Sequence, residues 1–220
     1  MFSFFKKKPQ TDYPDFWTEY EQSFRKKTET GITENRFVVF DTETTGFNYK
    51  TDRILSIGAV PVTQNNISVS DIFEVYIRQD TFNPETVKIH GLLKEDGRVT
   101  AIAEEEALRR FLVYIKNAIL VAHHAHFDTT MINAGLKRMG LPKLKNRVLD
   151  TSVLYNRTRI TSNLIDRNKN HSLDELADAL NIPKNDRHTA TGDAYITAIA
   201  FLKILTRLEK KGIYRTKELF

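Results

Sequence analysis

The chain has 220 residues, 40% of them hydrophobic, which is enough for one α/β domain with a sizeable core. It carries no cysteine, so disulfides and thiolate metal sites are excluded and any metal must be held by oxygen or imidazole. Lys and Arg outnumber Asp and Glu by 33 to 28, a net charge of +5 that suits a polyanionic partner.

Residues 1–35 read as an N-terminal extension, 36–210 as the main domain and 211–220 as a C-terminal tail. Met1 to Phe5 followed by Lys6 to Lys8 puts apolar and charged blocks in the wrong order for a secretory signal, and no apolar run approaches the ~18 residues of a bilayer span. A cytoplasmic protein with no membrane partner is expected. Between Asp15 and Lys27, the side chains of Phe16, Trp17, Tyr20 and Phe24 fall at helical spacings. This predicts a short amphipathic helix with Trp17 buried.

Val38, Val39 and Phe40 predict a strand buried on both faces. Such a strand ends in carboxylates only if something compensates them, and it ends in Asp41-Thr-Glu43. Side chains alternate along a strand, so Asp41 and Glu43 point to one side and Thr42 to the other. Two oxygen donors then converge, a pattern that suits Mg²⁺ or Mn²⁺. Thr44-Thr45-Gly46 predicts a tight turn in which Gly46 takes φ > 0 and backbone N–H groups lie open to a ligand such as a phosphate.

Arg53 to Val62 and Ile67 to Arg78 read as second and third strands, joined closely enough for an antiparallel meander. Asn83 to Gly91 reads as a turn or short helix carrying His90. Thr100 to Asn117 places Ile102, Leu108, Phe111, Leu112 and Ile115 on one helical face. Ala118 to Ala122 is another buried strand, ending in His123-His-Ala-His-Phe-Asp128 before a helix to Met139. Asp128 thus repeats the placement of an acid beyond an apolar strand, and Val148-Leu-Asp150 does so more briefly. Ser172-Leu-Asp-Glu175 is a capping box for a helix ending near Leu180. Thr189 to Lys210 is the last long helix, with Asp193 near its start and His188 just before it. Taken alone, Asp128 and Asp193 could equally be helix caps. Alternation splits His123, His124 and His126 between faces, which favours packing and loop hydrogen bonds over zinc.

Three segments carry a family resemblance: Phe40-Asp-Thr-Glu-Thr-Thr-Gly-Phe47, Val121-Ala-His-His-Ala-His-Phe-Asp128 and His188-Thr-Ala-Thr-Gly-Asp-Ala194. In order and spacing they resemble the motifs of the DnaQ-like, DEDDh class of proofreading-type 3′–5′ exonucleases, and the resemblance runs from about 36 to 208. It implies a ribonuclease H-like α/β fold, a mixed sheet of antiparallel meander and parallel strands flanked by helices. It also implies two Mg²⁺ or Mn²⁺ ions about 4 Å apart, held by Asp41, Glu43, Asp128 and Asp193, with His188 as proton acceptor.

On the same resemblance Glu85 and His90 lie near the terminal nucleotide. Thr44 offers a backbone N–H, and Phe47 either faces the last base or joins the core. The implied substrate is a single-stranded or frayed 3′ end, DNA before RNA, cut stepwise to nucleoside 5′-monophosphates. An RNA-directed enzyme similar to oligoribonuclease or ribonuclease T uses the same motifs, and a noncatalytic polymerase-accessory module would have lost one of them. Proofreading would require a separate polymerase. One departure stands out: His124 occupies a place where the family commonly has an Asn whose amide ties down neighbouring backbone.

Overall fold

Alternation along one strand organises the molecule. In the computed structural model, which describes residues 13–25, 29–79, 100–159 and 170–220, strand β1 (Arg36–Thr44) sends Phe37 and Val39 into one core and Val38 and Phe40 into another. All four are buried, as the sequence predicts for a strand covered on both faces. Strand β2 (Ile54–Thr63) lies antiparallel to β1 over its whole length, and β5 (Ile119–Ala122) lies parallel on the other side, followed by β6 (Val148–Asp150). The described residues form a six-stranded mixed sheet in which Asp41 and Asp150 both lie towards the carboxyl ends of their strands.

The expected third strand is interrupted. Asn66–Ile67 (β3) and Phe73–Tyr76 (β4) both pair with β2 but are separated by a 3-10 turn over Val69–Asp71. Pro61 of β2 sits at the break, where it accepts from the Ser68 N–H at 3.1 Å but has no N–H of its own to continue the ladder.

Helices cover both faces. One core lies under α1 (Asp15–Ser23), α2 (Glu104–Ile115) and α3 (His126–Arg138). The other lies under α4 (Thr151–Thr158), α5 (Leu173–Ala179) and α6 (Ala190–Glu209). Helix α1 is held by fully buried Trp17 and Tyr20, whose rings pack at 5.1 Å. The Tyr20 hydroxyl donates to Asn146 Oδ1 and accepts from the Lys145 N–H, both at 2.7 Å. The capping box read at Ser172 and Glu175 is present, and Thr189 caps α6 by accepting from the Gly192 N–H. At the other end Leu219 is buried, and Arg157 donates to the carbonyls of Glu218 and Leu219. The expected turn at 83–91 lies outside the described residues.

Candidate active site

Three carboxylates meet where β1 ends. Asp41, Glu43 and Asp193 each offer an oxygen within 4.8 Å of the others. The strand pattern supplies the first two, and the first turn of α6 supplies the third. Helix α6 reaches the sheet because Gly58, which pairs with Asp41 across β1 and β2, has no side chain: a Cβ there would lie 2.2 Å from the Thr191 nitrogen.

Asp128 adjoins this group from the opposite face. Its Oδ1 accepts from the Thr42 N–H at 2.9 Å and from the Thr42 hydroxyl at 2.7 Å. Thr42, the residue that alternation turns away from Asp41 and Glu43, is thus what holds the fourth acid. Burial pushes the Asp128 carboxyl up to about 7, against the lowering effect of the Thr42 bonds. Asp41 is also driven well above the usual carboxylate range, by burial first and then by the charges of Asp128, Asp193 and Glu43.

Asp193 is buried, yet its Oδ1 has no hydrogen-bond partner among the described residues, while Arg187 contacts Oδ2. Buried carboxylate oxygens are costly without a partner, and a divalent cation is the partner that suits several of them at once. The donor set is all oxygen, which fits Mg²⁺ or Mn²⁺. Arg187 went unnoticed in the sequence reading because no motif spacing marks an ion pair between α5 and α6.

His188 is not a member of the converging group; it is exposed on the loop before α6, in the left-handed region at φ 64°. Among the described residues its ring makes no hydrogen bond to any of the four. Phe47 is not in the core: it is 90% exposed, with its ring 5.7 Å from that of Phe127. Thr44 is buried, with its hydroxyl donating to the Gly46 carbonyl at 2.8 Å. Gly46 does not take positive φ, contrary to expectation. It is small because a Cβ there would lie 2.6 Å from an Asp52 carboxylate oxygen. The turn is also less open than expected, since the Thr45 N–H donates to the Arg53 carbonyl at 2.9 Å. Glu85 and His90 lie outside the described residues.

The histidine segment is not extended as expected: residues 123–125 turn, His126 opens α3 and is exposed, and the His123 and His124 rings lie 4.2 Å apart. His123 is buried with Nδ1 at 2.9 Å from the Thr151 hydroxyl and Nε2 at 2.7 Å from the His171 carbonyl, so both nitrogens are committed. Burial lowers its imidazole to about 4. His124 adopts φ 58°, and the backbone beside it is secured by Asp150, whose Oδ2 accepts from the Ala125 N–H at 2.9 Å.

The profile described as exonuclease, of the RNase T type, matches residues 38–201. The chain belongs to this exonuclease family. Its exonuclease segment is 36% identical over 187 residues to a PolC-type DNA polymerase III of Caldanaerobacter subterraneus subsp. tengcongensis, covering 84% of this chain and 13% of that protein. It is 35% identical over 189 residues to a DNA polymerase III subunit epsilon-like protein of Rhodobacter capsulatus, covering 84% of this chain and 26% of that one. The chain therefore spans only a minor part of these relatives. In fold, this exonuclease matches E. coli exonuclease I in complex with a dT13 oligonucleotide, at TM-score 0.64 and 18% identity over 80% of this chain and 42% of the other. It also matches exonuclease X in complex with 5′ overhanging duplex DNA, at TM-score 0.56 and 22% identity over 77% and 91% of the two chains. Among its described residues no helix is long and apolar enough to cross a membrane.

Proposed function

We propose that this exonuclease removes nucleotides stepwise from the 3′ ends of single-stranded or frayed DNA, releasing nucleoside 5′-monophosphates. The observation that carries the reading is the convergence of Asp41, Glu43 and Asp193, the last with a buried carboxylate oxygen that has no hydrogen-bond partner among the described residues. Asp41, Glu43 and Asp193 would hold one divalent cation, and Asp41 with Asp128 a second. Bound there, Mg²⁺ or Mn²⁺ supplies Lewis-acid polarisation of the phosphodiester and lowers the pKa of the attacking water.

The chain's own groups do the rest. His188 accepts the proton of the attacking water, its exposed loop bringing the imidazole over the acids when a strand end arrives. The exposed Phe47 ring, backed by Phe127, offers a face for the terminal base without reading its identity. Thr44 shapes the turn beneath that base, and Glu85 and His90 contact the terminal sugar and phosphate. The relatives' names include DNA polymerase III, which supports a proofreading or repair role alongside a polymerase.

The test is digestion of 5′-labelled DNA and RNA oligonucleotides of one sequence, with Mg²⁺, Mn²⁺ or EDTA. A cation-dependent ladder shortening from the 3′ end of DNA is the expected result. A ladder on RNA alone would move the reading to an exoribonuclease, and shortening that persists in EDTA would end the metal mechanism.

A further inference from the structure

Arg187 ties together two acids from different helices. Its Nε and Nη2 fork onto Asp174 of α5 at 2.9 and 3.2 Å, and its Nη1 contacts Asp193 Oδ2 in the first turn of α6. The Arg187 side chain is 16% exposed, whereas that of Asp174 is 48% exposed and stands outside the acid cluster. Because one Asp193 oxygen is taken by Arg187, Oδ1 is the oxygen left without a hydrogen-bond partner among the described residues. Arg187 thus fixes how this carboxylate is presented.

The same residue precedes His188. The backbone on either side is left-handed, with φ 58° at Asp186 and φ 64° at His188, a conformation that is strained in a non-glycine residue and persists only when neighbours hold it. The Thr189 hydroxyl donates to the Asp186 carbonyl at 2.8 Å and anchors one end of this loop. The fork on Asp174 anchors the middle. A planar guanidinium can grip Asp174 with two N–H groups and still reach Asp193, which an ammonium cannot.

We propose that Arg187, braced by Asp174, is a positioning residue that sets the Asp193 carboxylate and the His188 loop in one geometry for hydrolysis. This rests on the reading of Asp193 as a metal ligand and His188 as the proton acceptor. The sign of its effect is distinctive. A positive charge beside Asp193 opposes a second cation, so Arg187 lowers cation affinity while raising turnover. Loss of a group that merely kept the site folded would lower both.

The experiment compares Asp174→Asn, Arg187→Gln and Arg187→Lys with the wild type. It measures kcat and KM on a single-stranded DNA oligonucleotide, Mn²⁺ affinity by calorimetry without nucleic acid, and thermal melting. Asp174→Asn alters a half-exposed side chain and should melt near the wild type. Expected are a fall in kcat on the order of tenfold to a hundredfold for Asp174→Asn and Arg187→Gln, with KM nearly unchanged. Mn²⁺ should bind Arg187→Gln as tightly as the wild type or more tightly, and Arg187→Lys should recover part of kcat. Wild-type kcat in Asp174→Asn, or a loss of kcat matched by an equal loss of Mn²⁺ affinity in Arg187→Gln, overturns the proposal. His188→Ala serves as control. If it is as active as the wild type, the underlying reading of His188 fails; if it is impaired while Asp174→Asn is not, only the brace fails.

Discussion

Asp41 and Gly58 face each other across β1 and β2, and the space that Gly58 leaves is filled by the first turn of α6. A Cβ at that position would lie 2.2 Å from the Thr191 nitrogen and 2.3 Å from the Ala190 carbonyl carbon, closer than packing permits. Gly58 therefore sets how near Asp193 comes to Asp41. Gly58→Ala is expected to lower stability by about 1–3 kcal/mol in urea unfolding and to cut kcat about a hundredfold. A folded Gly58→Ala protein with wild-type kcat would show that α6 can retreat without carrying Asp193 away.

Crowding of like charges predicts opposite effects of one change on activity and stability. Asp41 is held well above the ordinary carboxylate range by burial and by three neighbouring acids. Asp41→Asn should abolish exonuclease activity, because it removes a donor common to both proposed cation positions, yet melt higher than the wild type in EDTA. A lower melting temperature for Asp41→Asn in EDTA would show that the acids do not repel one another as inferred.

The same acids dictate how pH and cations interact. Both Asp41 and Asp128 are raised in the folded state, Asp128 to about 7, so folding retains protons that an unfolded chain releases near pH 4. The Asp128 contribution to stability is complete below about pH 4 and is lost as pH rises through about 7, and that of Asp41 is lost in the same direction, above the ordinary carboxylate range. Cations bind the deprotonated acids and should restore what is lost. Differential scanning fluorimetry with Mn²⁺ against EDTA should give a larger upward shift at pH 8 than at pH 5; equal shifts would contradict the assignment.

His123 works in the other direction. Burial, helped by the neighbouring His124, lowers its imidazole from 6.5 to about 4. The unfolded chain thus binds a proton that the folded one refuses, and stability present above about pH 6.5 is lost as pH falls towards 4. His123→Gln loses the bonds to Thr151 and His171 and should be less stable than the wild type at pH 7. The gap should narrow by on the order of 3 kcal/mol by pH 4.5, read from urea unfolding at both values. A gap that stays constant would mean that His123 titrates alike in both states.

What the sequence revealed, and what it hid, follows from the range of each interaction. Strand alternation and helical periodicity are local, so the doubly buried β1, the pairing of Asp41 with Glu43 on one side and the capping box at Ser172 could all be read from neighbouring residues. The break between β3 and β4 depends on Pro61 in the opposing strand, and the smallness of Gly46 on Asp52, neither of which spacing discloses. Thr42 was read correctly as pointing away, but only the packing of α3 shows that it points to Asp128. Phe47 could have gone either way on its chemistry, and burial alone decided it. The Asp174, Arg187 and Asp193 linkage joins residues on two helices and a loop, and no motif announces it.

Tyr20 does more than fill space. Its hydroxyl joins Asn146, whose amide in turn holds the carbonyls of Lys116 and Ala118, so the first helix is stitched to the stretches that lead into β5 and β6. The match to the family profile opens at Val38, downstream of Tyr20. A recombinant fragment cut at the similarity boundary would leave a hollow where an indole and a phenol belong, on the side of the sheet away from Asp193. Where evolution's shared pattern starts and where this molecule can safely be trimmed are different places.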